Sequence, residues 1–244
     1  MSKLRKIYFV RLIMRCMVFV LCALMWFRKS AQLKVLKGMA FFENLTALHL
    51  LWFIWMMDML CQLLPIKAQI SLGSQKLFKC RFKPVGGNFD RTALKKYIVS
   101  TTKSAYLVFI LWGVLAAVIG WLAHVNVLND ADLFMITVFF YVCDLICVVI
   151  WCPFRVLMGN RCCTTCRIFN WDHLMMFTPM IFVDGFFGRS LLWMSVLVWL
   201  VWELCVYFHP ERFWEKSNEA LRCSNCIDKL CTHFAYTLNI TNMR

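Results

Sequence analysis

Charge is scarce in this sequence. Only 16% of its 244 residues are charged, while 61% are hydrophobic; an ordinary soluble domain has about 25% and roughly 45–50%. With 22 Phe and 11 Trp, the chain carries more apolar surface than a water-exposed fold can bury. That excludes a soluble globular class. The shortage falls mainly on acids, since 13 Asp and Glu against 27 Lys and Arg leave a formal net charge of +14. In a soluble chain such an excess points to nucleic acid. No recognised binding motif accompanies it here, and in a multi-pass membrane protein basic residues collect in cytoplasmic loops for topological reasons. The expected partner is therefore the lipid bilayer, with no nucleic acid.

Catalytic strings are missing too. There is no Walker loop, GxGxxG, HExxH or Gly-x-Ser-x-Gly, and no soluble stretch large enough for a nucleotide fold. That argues against an autonomous hydrolase or ATPase. Nothing in the sequence decides whether the protein is an enzyme. No solvated linker, low-complexity tract or clear repeat divides the chain, so the economical reading is one membrane domain over 1–208 and a Cys-rich cytoplasmic tail over 209–244. The start, MSKLRKIYFVRLIMRCMVFVLCALMWF, lacks a small-x-small cleavage site and reads as a retained first membrane segment.

What is present is a series of long apolar runs. A helix needs about 20 mostly apolar residues to cross the hydrocarbon, because lipid offers the backbone no hydrogen-bond partner. Six stretches approach that length: 7–27, 42–64, 105–124, 133–152, 172–187 and 190–208. The expected fold class is all-α, a polytopic integral membrane bundle of about six transmembrane helices with a small cytoplasmic Cys-rich metal site. The fifth stretch must recruit Asp172 and His173 to be long enough, and a re-entrant segment competes with a crossing there. Placing both termini in the cytoplasm puts 21 of the 27 basic residues inside, in the N-terminus, the 65–104 and 153–171 loops and the tail. The positive-inside rule favours that arrangement. Arg11 and Arg15, four apart on one helical face, keep an interfacial first segment open as an alternative. The 65–104 loop reads as a small hairpin or irregular segment, forming a basic collar on anionic headgroups or a docking surface for an acidic partner.

The 14 cysteines are absent from every expected outside loop, the reverse of a disulfide framework. On the cytoplasmic side they cluster as NRCCTTC, containing Cys162, Cys163 and Cys166, and as RCSNCIDKLC, containing Cys223, Cys226 and Cys231. Each Cys-x-x-Cys presents two thiolates to one ion, and two such pairs complete a tetrahedral site. The 172–208 hairpin is expected to return the second cluster beside the first. Cys163, Cys166, Cys223 and Cys226 are thus the candidate metal ligands, with Cys162 and Cys231 as additional or substitute ligands. Ligand surplus and membrane placement favour an iron–sulfur cluster over zinc, and Cys152 adds a nearby Cys-Pro step. The spacing is similar to that of polytopic membrane ferredoxin-like proteins, but their contiguous C-x-x-C-x-x-C-x-x-x-C-P run is absent, and the family is not assigned. The resulting expectation is membrane electron transfer to a quinone or a redox partner protein. The alternative is a transporter or scaffold clipped by a structural Zn(Cys)4 knot.

Carboxylates inside apolar runs usually face the bundle interior. Asp144, beside Cys143 and one turn before Cys147, is the strongest candidate for a proton carrier. Asp172 and His173 are candidates for an alternative ligand, for outer ligand orientation or for proton transfer. Asp58 lies closer to the inner boundary, where water is within reach, and Glu203 needs a basic partner that the sequence does not identify. His49 and the Met175, Met176, Met180 series read as packing, and the tryptophans near helix ends as an interfacial belt.

Overall fold

The computed structural model describes residues 3–64, 79, 82–86, 90–159 and 165–225. Among these residues the protein is helical, with no strands beyond two isolated bridges. Four helices are long and apolar enough to cross a membrane: α1 (Lys3–Phe27), α3 (Arg91–His124), α4 (Asp130–Val149) and α7 (Phe186–Phe208), the first qualifying over Arg5–Phe27. Helix α2 (Ala47–Leu63) is apolar but shorter, at 17 residues. Two short helices, α5 (Phe154–Leu157) and α6 (Asp172–Phe177), lie between α4 and α7.

Against six expected crossings, four of the described helices reach the length; the second run, expected over 42–64, gives only the 17-residue α2, and two further elements differ. The third apolar run begins within a longer helix, since α3 takes up residues 91–104 from the expected loop. Asp90 caps it, accepting from the Thr92 backbone N–H at 2.8 Å, and α3 runs for about 51 Å at 1.5 Å per residue. The fifth run is a broken segment. Its helix α6 gives way to a 3₁₀ turn over Thr178–Phe182 and then to extended chain at Val183. Pro179 supplies the cause, because it has no N–H to continue the α-helical ladder and its ring crowds the preceding turn. The Thr178 hydroxyl, donating to Leu174 O at 2.8 Å, satisfies a carbonyl freed by the break.

The broken segment sits at the centre of the protein. Trp55 of α2 is fully buried, and its ring meets those of Phe134, Tyr141, Phe177 and Phe187 at centroid distances of 6.4, 5.4, 5.3 and 6.4 Å. Helix α1 runs antiparallel along α4: the Trp26 indole donates to Asp132 at 2.7 Å, while Tyr8 and Leu12 pack with Val142, Leu145 and Val149. At the end of the broken segment the chain touches the loop after α1. Gly38 N–H donates to Asp184 O at 2.7 Å, and Phe186 N–H to Gly38 O at 3.0 Å. A Cβ at Gly185 would collide with the carbonyl of Leu36, so only glycine permits this approach.

At the opposite end, the described parts of several loops gather. The Tyr97 ring, near the start of α3, stacks on Trp214 at 5.7 Å. The 82–86 segment meets the tail, with Val85 N–H donating to Ser217 O and Glu219 N–H to Lys83 O. Phe213 packs on Trp202 of α7 at 5.5 Å. Large apolar side chains such as Ile13, Met17, Val20 and Leu24 on α1, and Ile110, Val114 and Val118 on α3, face outward. Exposed apolar area of this extent, on helices long enough to cross a membrane, is consistent with a covering of lipid.

Candidate functional site

A polar cluster lies within the apolar core. Arg15 projects from α1 to Asp144 on α4 at 2.5 Å, donates to Tyr141 O at 2.7 Å, and holds its guanidinium 4.0 Å from the Tyr141 ring centroid. On the neighbouring elements His173 lies between two carboxylates, with Nδ1 3.0 Å from Asp172 and Nε2 3.3 Å from Asp58. Gln62 approaches the same ring at 3.1 Å. The arrangement draws on four elements: α1 gives the cation, α2 gives Asp58 and Gln62, α4 gives Asp144, and α6 gives Asp172 and His173. Each charged group here has a partner of opposite or adaptable charge, as burial in a low dielectric demands.

Beside this cluster is a cavity of about 280 Å³ between α3, α4 and the 152–176 region. Its apolar wall includes Trp112, Phe140 and Phe154, with the Trp112 and Phe140 rings 5.0 Å apart. Its reactive wall carries Cys143, Cys147, Cys152 and Cys166 together with the carboxylates Asp144 and Asp172. Cys143 and Cys147 are four apart on one face of α4, which is why both reach the cavity. Cys152 follows the end of α4. Its thiol is held below the ordinary value of 9.0, first by the hydrogen bond from Cys147 and then by the backbone N–H groups of Arg155 and Phe154, against burial, which pushes it upward. None of the eight described cysteine side chains is in a disulfide.

The candidate metal ligands are only partly visible. Cys162, Cys163, Cys226 and Cys231 lie outside the described residues, and Cys223 is described in backbone only, at the start of a 3₁₀ turn over Cys223–Asn225. Cys166 is buried beside Met158, Ile168, Trp171 and Met175. Its neighbour Arg167 grips Glu203 with two bonds, 2.9 and 2.6 Å, and the Trp171 indole donates to Glu203 at 2.9 Å. This pair joins the chain just after the first cysteine cluster to the last turns of α7. Among the described residues, no group of three His, Cys, Asp or Glu side chains is placed to hold a metal ion.

Asp144, Asp172 and His173, singled out from the sequence, thus come together with Asp58, and Cys152 joins Asp144 and Asp172 on the cavity. Glu203 finds its partner in Arg167. Sequence reading missed Arg15, Gln62 and Tyr141 as members of the cluster. A signal for Arg15 was present, since an arginine midway along a 25-residue apolar helix requires an acid partner on another helix. Compared with protein-family models, curated proteins and solved structures, the chain finds no match in any of the three.

Proposed function

We propose that this protein is a six-crossing membrane protein with both termini in the cytoplasm, which transfers electrons through a cysteine-ligated centre on that side. Cys163, Cys166, Cys223 and Cys226 are its ligands, with Cys162 and Cys231 as further donors. The observation carrying this reading is the gathering of flanking segments at one end of α7. Arg167, next to Cys166, pairs with Glu203, while Phe213 returns the tail onto Trp202 on the way to Cys223. The contact between Gly38 and Gly185 at the other end supports the broken segment as the fifth crossing.

The donor chemistry fits, since two Cys-x-x-Cys pairs of soft thiolates suit iron–sulfur or zinc. The apolar surroundings of Cys166 limit solvent access, one of the levers on a redox centre. Bound there, an iron–sulfur cluster supplies one-electron chemistry, with a quinone or a redox partner protein as acceptor. The residues themselves hold thiolates at the inner end of the bundle and keep the two loops together.

Anaerobic purification followed by metal and sulfide analysis tests the reading. Iron with acid-labile sulfide, and a visible band that bleaches with dithionite, is the expected result. Serine at Cys163 and Cys223 together should abolish it. Full iron occupancy in that double variant refutes the shared site, and a colourless protein with zinc replaces electron transfer by a Zn(Cys)4 clip. Reporter fusions at positions 90 and 240 should report the cytoplasm, and at 128 the outside.

A further inference from the structure

We propose that the cavity beside the polar cluster is a second redox site, in which the Cys147–Cys152 dithiol reduces a lipophilic para-quinone. The inference does not rest on the cysteine-ligated centre proposed above, because its electrons come from Cys147 and Cys152 and it needs no bound metal, although Cys166, a ligand of that centre, lines the same cavity.

Three features of the cavity converge on this ligand class. First, its walls suit a flat conjugated ring, with Trp112, Phe140 and Phe154 around a volume of about 280 Å³. Aromatic faces of this kind favour offset or edge contacts with another ring. Second, Phe139 lines the cavity while remaining 52% exposed on the outward apolar face of α4. That places the mouth where a lipid-dissolved molecule arrives, not where a hydrophilic metabolite does. Third, the polar groups are few and concentrated, as ligand sites require. Asp144 and Asp172 face the cavity and can meet quinone oxygens or pass protons to them, and each is anchored by a further partner, Arg15 or His173.

The electron source is the thiol pair. Cys147 stands in the last turns of α4, and the chain turns at its end so that the Trp151 N–H donates back to Ile146 O at 3.1 Å. This turn returns Cys152 to within hydrogen-bond reach of Cys147. Two thiols that hydrogen-bond to each other, on residues five apart in sequence, are the pair in this cavity placed to close a disulfide. In the reaction the Cys147 and Cys152 S–H bonds break and one S–S bond forms. The two electrons and two protons released convert the quinone's two C=O groups to the C–OH groups of the quinol. Thiols and quinone on one side balance disulfide and quinol on the other. Repeated turnover calls for a thiol reductant from the cytoplasm, but a single turnover needs nothing further.

The test uses full-length protein in lipid nanodiscs, reduced with a phosphine, freed of it, and mixed anaerobically with decyl-ubiquinone, whose substituted ring resists direct addition of thiols. Quinol is followed by ultraviolet absorbance. Remaining thiols are then alkylated and the peptide spanning both cysteines is mapped by mass spectrometry. The expected outcome is one quinol per chain and a Cys147–Cys152 disulfide, with quinol formation at least about tenfold slower in Cys147→Ser and in Cys152→Ser and unchanged in Cys61→Ser. Both cysteines still open to alkylation after quinone treatment of the wild-type protein would overturn the proposal without recourse to any variant. Quinol formation that survives Cys147→Ser but is lost in the Cys163→Ser, Cys223→Ser double variant would also overturn it, while leaving the cysteine-ligated centre as the electron source.

Discussion

Replacing Arg15 by Leu should destabilise the protein strongly, and replacing Asp144 by Leu as well should restore most of the loss. The guanidinium makes three contacts at once, to the Asp144 carboxylate at 2.5 Å, to Tyr141 O at 2.7 Å and to the Tyr141 ring at 4.0 Å. The two side chains are only 14% and 22% exposed. Removing one member leaves the other charged and uncompensated, which costs about 3–5 kcal/mol for a buried pair. Removing both eliminates that penalty along with the attraction, so the Arg15→Leu, Asp144→Leu double variant should come within about 1–2 kcal/mol of the wild type. The coupling in a double-mutant cycle is then large, on the order of 3 kcal/mol or more. Equilibrium unfolding in mixed micelles, read by tryptophan fluorescence, measures all four proteins. Single losses that add to within about 0.5 kcal/mol in the double variant would refute the pair as the reason these two groups tolerate the core.

Further predictions address other parts of the structure. Gly185→Ala should lower stability by about 1–3 kcal/mol, because its Cβ meets the Leu36 carbonyl, whereas Gly113→Ala, which has open space around it, should be neutral or stabilise α3 by up to about 1 kcal/mol; thermal unfolding compares the two. Glu203→Ala should cost about 3–5 kcal/mol, since Arg167 and the Trp171 indole lose a shared acceptor, and Glu203→Gln should cost less because it retains one; chemical unfolding ranks them. The alkylation rate of Cys152 should reach half its maximum at a pH below the ordinary thiol value of 9.0. In Cys147→Ala that midpoint should move upward, since the lost donor favoured the thiolate. Rate profiles against pH with peptide mapping would show whether it does.

The membrane class, the approximate positions of the apolar segments and the pairing of cysteines into two clusters are all legible in the sequence. They depend on composition and local spacing, which a helix in lipid obeys residue by residue. The beginning of α3 was less legible, because its first turns are basic and carry no apolar run; an Asp90 cap and an extended helix replace the expected loop. The fifth segment shows the same limit from the other side. Its hydropathy resembles a crossing helix, yet Pro179 breaks it, and only packing around Trp55 gives the broken chain a place in the core. The charged residues mark the clearest division. From the sequence, Arg15 belongs to one face of a first helix, Asp58 to an inner boundary, and Asp144 to an isolated acid. Which cation meets which acid depends on how α1 lies along α4 and on where α6 enters between α2 and α4, and those are long-range choices that no local pattern encodes. The sequence alone therefore determined that polar groups had to be paired inside an apolar bundle, since leaving them unpaired there is too costly. Tertiary structure decided the pairs, and with them the position of a thiol-lined cavity against the charged cluster.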